Sequence, residues 1–157
     1  MAYKDPTAVD PQSFVPVIMG FRVDKAAETV PQSGSQDLFT IAGGRVAILG
    51  IVGEVTTVLG ATANNAKLIA NPTTGTSVDI CAVLAVANKE AGTLFGITGI
   101  FADALVGANA GATVLQQRPV VVNSGTIDFD CSSTNTGATK WTCWYVPLDD
   151  GATVVSA

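Results

Sequence analysis

Turn-forming residues divide this chain into short apolar runs from Asp37 onward, and none of these runs shows the 3.6-residue repeat of an amphipathic helix. Examples of the turns are Asn71-Pro72-Thr73-Thr74-Gly75 and Asn123-Ser124-Gly125. The runs between them are rich in β-branched and aromatic residues, which favour strands. The sequence therefore predicts an all-β fold, a compact β-sandwich or β-barrel with at most one or two short helices. The best helical window, Phe101 to Ala108, is short and flanked by glycine.

A first predicted hairpin joins Leu38–Ala42 to Arg45–Leu49 through Gly43-Gly44, the residue pair typical of a tight primed turn. Pairing Ala42 with Arg45 places the larger apolar side chains on one face, which is therefore expected to be core. These side chains are Phe39, Ile41, Val46 and Ile48.

A second predicted hairpin begins with the strictly alternating run Thr126–Cys131. Its core face is expected to carry Ile127, Phe129 and Cys131. Its solvent-exposed face is expected to carry Thr126, Asp128 and Asp130. A loop from Ser132 to Thr142, closing symmetrically about Gly137, would place Cys131 opposite Cys143 and Phe129 opposite Tyr145. Further strands are expected at Lys67–Ala70, Val78–Val86, Thr93–Ile100, Val120–Val122 and Trp141–Val146.

The composition of the chain changes near residue 36, since four of the seven prolines lie before it. We therefore divide the chain into an extended N-terminal arm, residues 1–36, and an all-β domain, residues 37–157. The arm contains the apolar run Phe14-Val15-Pro16-Val17-Ile18-Met19-Gly20-Phe21. This run is interpreted either as a strand packed on its own domain or as a segment that lies on a neighbouring subunit.

Composition argues against most enzyme classes and against nucleic-acid binding. The chain has no histidine, which removes the commonest general base and metal ligand. Its net charge is -5 and its eight Lys and Arg residues form no basic cluster. Asp128 with Asp130, and Asp149 with Asp150, match no metal loop and are interpreted as surface and turn carboxylates. We expect no catalytic residue, no cofactor and no metal.

Neither export nor membrane insertion is expected. The residues after Met1 are polar and proline-containing, unlike a secretory signal, and no apolar run reaches the length of a membrane span. The three cysteines, Cys81, Cys131 and Cys143, are therefore expected to be free thiols in a reducing cytoplasm, although a Cys131–Cys143 disulfide is the open alternative.

A protein partner is expected, because 48% of the residues are hydrophobic and only 13% are charged. Trp141 and Trp144 lie on opposite faces of one strand, so one is expected in the core and the other near an interface. The candidate interaction residues are Phe14, Val15, Val17, Ile18, Met19, Phe21 and Trp144.

Four blocks of the chain resemble small virion proteins of tailed bacteriophages: Asp37–Gly44, Gly50–Thr57, Ala70–Gly75 and Trp141–Ala152. The likeness spans residues 37–157, and the head decoration, or cement, proteins are the most similar. These blocks carry turn and core signatures without active-site residues.

The resemblance implies a non-enzymatic protein on the outside of the phage head, made in the host cytoplasm. Its expected partners are the major capsid protein and further copies of itself, as a symmetric homo-oligomer for which a trimer is the first expectation. Two alternatives stay open. One is a β-sandwich receptor- or glycan-binding module of a tail or fibre, and the other is a tail-tube or neck component.

Overall fold

The computed structural model describes residues 20–109 and 111–157 and contains twelve strands within them. The strands are β1 (Phe21–Thr29), β2 (Gly34–Ala42), β3 (Val46–Thr57), β4 (Asn65–Pro72), β5 (Val78–Asp79), β6 (Leu84–Ala85), β7 (Leu94–Gly96), β8 (Val106–Ala108), β9 (Val120–Val122), β10 (Gly125–Cys131), β11 (Ala138–Pro147) and β12 (Thr153–Ser156). No helix occurs in these residues, so the window Phe101–Ala108 is not helical. The all-β prediction is confirmed.

The strands form two antiparallel sheets that pack face to face as a β-sandwich. Sheet A has the order β1-β11-β3-β7-β8, with β9 also pairing with β3. Sheet B has the order β12-β2-β10-β4-β5, with β6 also pairing with β4. The four strands β1 to β4 pair with β10 or β11, and none of the four pairs with another of the four.

Side chains from both sheets meet in one core. Three aromatic rings lie at its centre: the Phe129 centroid is 5.0 Å from that of Trp141, and the Phe95 centroid is 6.1 Å from that of Trp141. Gly53 makes room for this cluster, since a Cβ there would lie 2.7 Å from the Trp141 ring. The core residues that the sequence predicts are all buried, namely Phe39, Ile41, Val46, Ile48, Ile127, Phe129 and Tyr145.

The first predicted hairpin is wrong. Gly43 and Gly44 join β2 of sheet B to β3 of sheet A, so the two strands face each other across the core and do not pair. Phe39 therefore pairs with Ile127, and Ile48 with Tyr145 and Val120. Two facing sheets bury the same alternating side chains as a hairpin does, which is why the pattern does not separate the two arrangements.

The second predicted hairpin is wrong for the same reason, because β10 lies in sheet B and β11 in sheet A. Cys131 pairs with Gly34 and Ala66, whereas Cys143 pairs with Val23 and Ile51. Both residues, like Cys81, are buried free thiols.

Four predicted strands lie inside β4, β9, β10 and β11, and two others are shorter than predicted. The run Val78–Val86 divides into β5 and β6, because the Leu68 N–H donates to Cys81 Sγ at 3.2 Å in place of a main-chain carbonyl. The run Thr93–Ile100 ends as a strand at Gly96, three residues before Gly99 turns the chain with a φ of 87°.

The predicted boundary at residue 36 is also wrong, because residues 21–36 belong to the sandwich. They form β1, paired with β11, and the beginning of β2. Seven of the nine residues of β1 are exposed, so this edge strand lacks the apolar alternation from which a strand is predicted. Residues 1–19 lie outside the described part of the chain.

Candidate interaction surface

The outer face of sheet A carries a row of apolar side chains at one end. Val146, Ala47 and Val121 lie side by side on β11, β3 and β9. Their chain neighbours Val46, Ile48 and Val122 point into the core, so the row points outward. Ala47 is buried between its neighbours, while Val146 is 38% and Val121 57% exposed.

Trp144 extends this row into a patch. It pairs with Gly50 of β3, where a Cβ would lie 3.4 Å from Trp144 Cε3 and 3.3 Å from Leu115 Cδ2. The glycine thus lets the indole and the leucine lie over the same point of the sheet. Leu115 is 43% exposed, and its neighbour Gln116 anchors this segment by donating from Nε2 to the Ile48 carbonyl at 2.8 Å. We define the sheet A patch as Ala47, Gly50, Leu115, Val121, Trp144 and Val146.

Charges on the rest of this face are balanced in pairs. Arg22 Nη2 lies 3.0 Å from Asp24 Oδ2, and Lys140 Nζ lies 2.9 Å from Glu54 Oε2. Because both pairs are solvent-exposed, they contribute little to stability. Each of these two pairs has no net charge.

The outer face of sheet B is acidic. Asp37, Asp128 and Asp130 lie on the adjoining strands β2 and β10, with Asp79 on β5. Lys67 is the cation among them, and its Nζ lies 2.7 Å from Asp79 Oδ2, a bond that raises the pKa of Lys67.

Asp128 lies on the predicted face of β10 but is buried, which the sequence does not predict. Its Oδ2 accepts a hydrogen bond from Asn71 Nδ2 at 3.3 Å. Burial raises the pKa of the Asp128 carboxyl, and the nearby Asp37 and Asp130 charges act in the same direction.

Asp149 and the cysteine thiols are occupied in ion pairing or in core packing. Asp149 accepts hydrogen bonds from Arg45 Nε at 2.9 Å and Nη2 at 2.7 Å, and these bonds lower the pKa of Asp149 to about 2. Burial raises the pKa of Cys143 to about 12, which disfavours the nucleophilic thiolate. Within residues 20–109 and 111–157, no group of three or more acidic or cysteine side chains is placed to hold a metal ion.

A groove of about 200 Å³ opens between the two sheets. Val78, Ile80, Phe101 and Val122 give it an apolar lining, to which Asn71 and Asn123 add amide groups. Phe101 is exposed, so an aromatic ring is available to a ligand at this point, whereas the Asn71 amide is already bonded to Asp128 and Ser77.

Of the predicted interaction residues, the structure places Trp144 in the sheet A patch. Phe21 lies on edge strand β1 with its ring centroid 5.6 Å from that of Tyr145, so it belongs to the inner side of sheet A and does not share a face with Trp144. Phe14, Val15, Val17, Ile18 and Met19 lie outside the described residues.

The other members of the patch are not among the residues predicted from the sequence. Alternation around the buried Val120 and Val122 would point to Val121, and the two-residue spacing from Trp144 would point to Val146. Leu115 has no such signal, because its segment has no regular period.

Comparison of the chain with family models, curated proteins and solved structures finds no match. In the described part of the chain, the structure contains no helix long and apolar enough to cross a lipid bilayer.

Proposed function

We propose that this protein is a non-enzymatic bacteriophage head decoration (cement) protein, which binds the outside of the head lattice and stabilises it. The observation that carries the proposal is the contrast between the outer faces of the sandwich. The outer face of sheet A has an apolar patch beside two ion pairs, whereas that of sheet B carries four aspartates, of which Asp128 is buried, and one lysine. The resemblance of residues 37–157 to virion proteins gives the class of partner.

The two faces suit different neighbours. An apolar surface gains free energy when it is removed from water, so the sheet A patch is the side to place against the major capsid protein. The acidic face of sheet B is costly to bury and stays in solvent. A bound shell of such copies would present negative charge to the medium, which keeps particles from associating.

Stabilisation requires many modest contacts. Each copy bound across neighbouring capsid subunits adds a small interaction, and the symmetry of the head repeats it over the lattice. We include the arm residues Phe14, Val15, Val17, Ile18 and Met19, which lie outside the described part of the chain, in this mechanism as apolar anchors on a proline-containing segment.

The test compares two substitutions on opposite faces, Leu115→Asp in the sheet A patch and Val155→Asp on the outer face of sheet B. Both positions are exposed, at 43% and 53%, so both variants are expected to fold. Each is added to expanded heads that lack the protein, and bound copies and the temperature of head breakage are measured. Leu115→Asp should bind at least about tenfold more weakly, because a carboxylate would be buried without a partner. Val155→Asp should bind as the parent does.

Two outcomes would contradict the proposal. Equal binding by both variants would remove the sheet A patch from the interface. Heads that break at the same temperature with and without the parent protein would remove the stabilising function.

The groove favours a second candidate, a receptor- or glycan-binding module of a tail or fibre. An exposed aromatic ring flanked by amides is a common way to bind a sugar, through stacking and hydrogen bonds. Binding of the protein to host surface glycans, lost in Phe101→Ala and kept in Leu115→Asp, would favour this candidate over decoration.

A further inference from the structure

Strand β1 contributes few side chains to the core. Lys25 is buried and Val23 half-buried, while the other seven residues are exposed, although the Phe21 ring contacts that of Tyr145. The strand is held mainly by main-chain pairing with β11, from Phe21 opposite Tyr145 to Thr29 opposite Ala138, and a bulge interrupts this pairing between Lys25 and Glu28. Releasing β1 would therefore expose little apolar surface.

The strand that β1 covers has the opposite character. Alternate side chains of β11 are buried, including Trp141, Cys143 and Tyr145, and β11 lies between β1 and β3. Without β1, the main-chain polar groups along one edge of β11 would lose their partners. The sandwich therefore needs a strand at this position, but few side-chain contacts require that strand to come from the same chain.

The connection from β1 to β2 is short and strained. Residues 30–33 carry the chain from sheet A to sheet B, and Ser33 has a φ of 68°, a left-handed conformation that is costly for a serine. Val30 is fixed at the start of the connection, because it is buried and its N–H donates to the Gly137 carbonyl at 3.1 Å. A chain that crossed to another molecule could extend at this connection and return Ser33 to a negative φ.

Two features of β1 disfavour the simpler contact in which a foreign strand adds to its free edge. One is the bulge, and the other is the inward-pointing Lys25, whose Nζ lies 2.5 Å from the Ala157 carbonyl oxygen and 3.0 Å from Glu28 Oε1. Both devices protect edge strands from edge-to-edge pairing. Exchange of β1 itself is compatible with both, because Glu28 would move with Lys25 and the Ala157 main-chain oxygen of the receiving molecule would accept the other bond.

We propose that β1 is exchanged between copies of this chain, so that Phe21–Thr29 of one copy pairs with β11 of another. The partner is a second copy because an identical strand reproduces the whole register, including the bond from Thr142 Oγ1 to Asp24 Oδ1 at 2.7 Å. This inference concerns self-association and holds whether or not the protein decorates phage heads.

The test is a disulfide between the strands, in the double variant Asp24→Cys with Thr142→Cys. These residues are directly opposite and their side chains touch, so an oxidised bond can form across β1 and β11. In an exchanged assembly the bond joins two chains, and a denaturing gel without reductant should show most of the protein as covalent dimer or closed trimer. The matched control, Val52→Cys with Thr142→Cys, links β3 to β11 and should give monomers.

A second variant tests the strained connection. Ser33→Gly removes the cost of the left-handed conformation from the closed form and should lower the interchain fraction of the Asp24–Thr142 pair severalfold. A folded double-cysteine protein that oxidises to monomers alone at high concentration would overturn the proposal. An interchain fraction unchanged by Ser33→Gly would overturn the part assigned to the connection.

Discussion

At the scale of single residues, the carboxylates show how far side-chain chemistry depends on the neighbouring strands. Asp149 lies in a turn and binds the Arg45 guanidinium through two oxygens, whereas Asp128 is buried in mid-strand, with other acidic side chains nearby. The first surrounding lowers the pKa of its carboxyl and the second raises it. Both residues are aspartates, and contacts distant in the sequence separate them: Asp149 meets Arg45, and Asp128 lies where β10 pairs with β2 and β4.

Asp128→Asn should stabilise the protein at neutral pH. The folded state raises the pKa of Asp128 above its ordinary value of 3.8, so ionisation is more costly in the folded than in the unfolded chain. The free energy of unfolding of the parent should therefore fall as the pH rises from below 3.8 through the raised pKa, and then level off with respect to this group. The variant should lack this step and be more stable by about 1 kcal/mol at pH 7.

Urea unfolding of the parent and of Asp128→Asn at pH 3 and at pH 7 measures both the pH-dependent change in the free energy of unfolding and the difference between the two proteins at pH 7. Asp130→Asn, on the same face of the same strand, is the control for removing a negative charge. If the Asp128 variant instead loses stability at pH 7, partners stabilise the carboxylate and the expected direction is wrong.

At the scale of elements, the sequence predicts where the strands lie better than it predicts which strands pair with each other. The runs inside β4, β9, β10 and β11 have local signals in β-branched residues and flanking turns, and these predictions are confirmed. Both predicted hairpins are wrong, because Gly43-Gly44 and the loop after Cys131 lead to the opposite sheet. Alternation reports which side chains are buried and carries no information about which sheet supplies the other half of the core.

The sheet A patch was likewise predictable only in part from the sequence. Alternation on its own strand predicts Trp144, and the structure confirms that Trp141 is buried and Trp144 is partly exposed. The patch around Trp144 depends on β11, β3 and β9 being neighbours, and on Leu115 reaching Gly50 from an irregular segment. Such long-range contacts have no signature within one stretch of sequence.

The corner between β2 and β3 yields a prediction about two glycines, Gly43 and Gly151, that have nearly the same φ. Gly43 has a φ of 78° and Gly151 one of 79°. A Cβ on Gly43 would lie 2.4 Å from the Gly151 carbonyl oxygen, whereas a Cβ on Gly151 would meet nothing within 4 Å. Gly151→Ala should cost about 1 to 2 kcal/mol for the left-handed conformation alone, and Gly43→Ala more than about 3 kcal/mol.

Denaturant unfolding of the two alanine variants tests this difference. Since the conformational cost is common to both, the excess in Gly43→Ala isolates the close contact between the β2–β3 corner and the turn before β12. Equal destabilisation would mean that the corner relaxes without cost.

At the scale of the whole molecule, the two sheets share one apolar core, which has three aromatic rings at its centre. Phe129 projects from sheet B against Trp141 and Phe95 of sheet A, so the ring bridges the two layers. Phe129→Ala should lower the free energy of unfolding by about 3 to 5 kcal/mol, the range for a buried aromatic residue. Phe101→Ala removes the same side chain from an exposed position and should cost less than about 1 kcal/mol. If calorimetry finds equal melting temperatures for the two variants, Phe129 does not join the sheets as described.

The pairing of β1, β2, β3 and β4 with β10 or β11 also sets the order of events during synthesis. A ribosome adds residues one at a time, so the first four strands leave it well before β10 and β11, the strands with which they share their longest ladders. No local hairpin among the four can hold them in the meantime, and closing such long loops makes folding slow. The most apolar strand, β3, can pair with the short strand β7 once residue 96 has emerged, but its long partner β11 follows only in the last quarter of the sequence. The yield of the protein in a cell should depend on chaperones and temperature more than the stability of the finished sandwich would suggest.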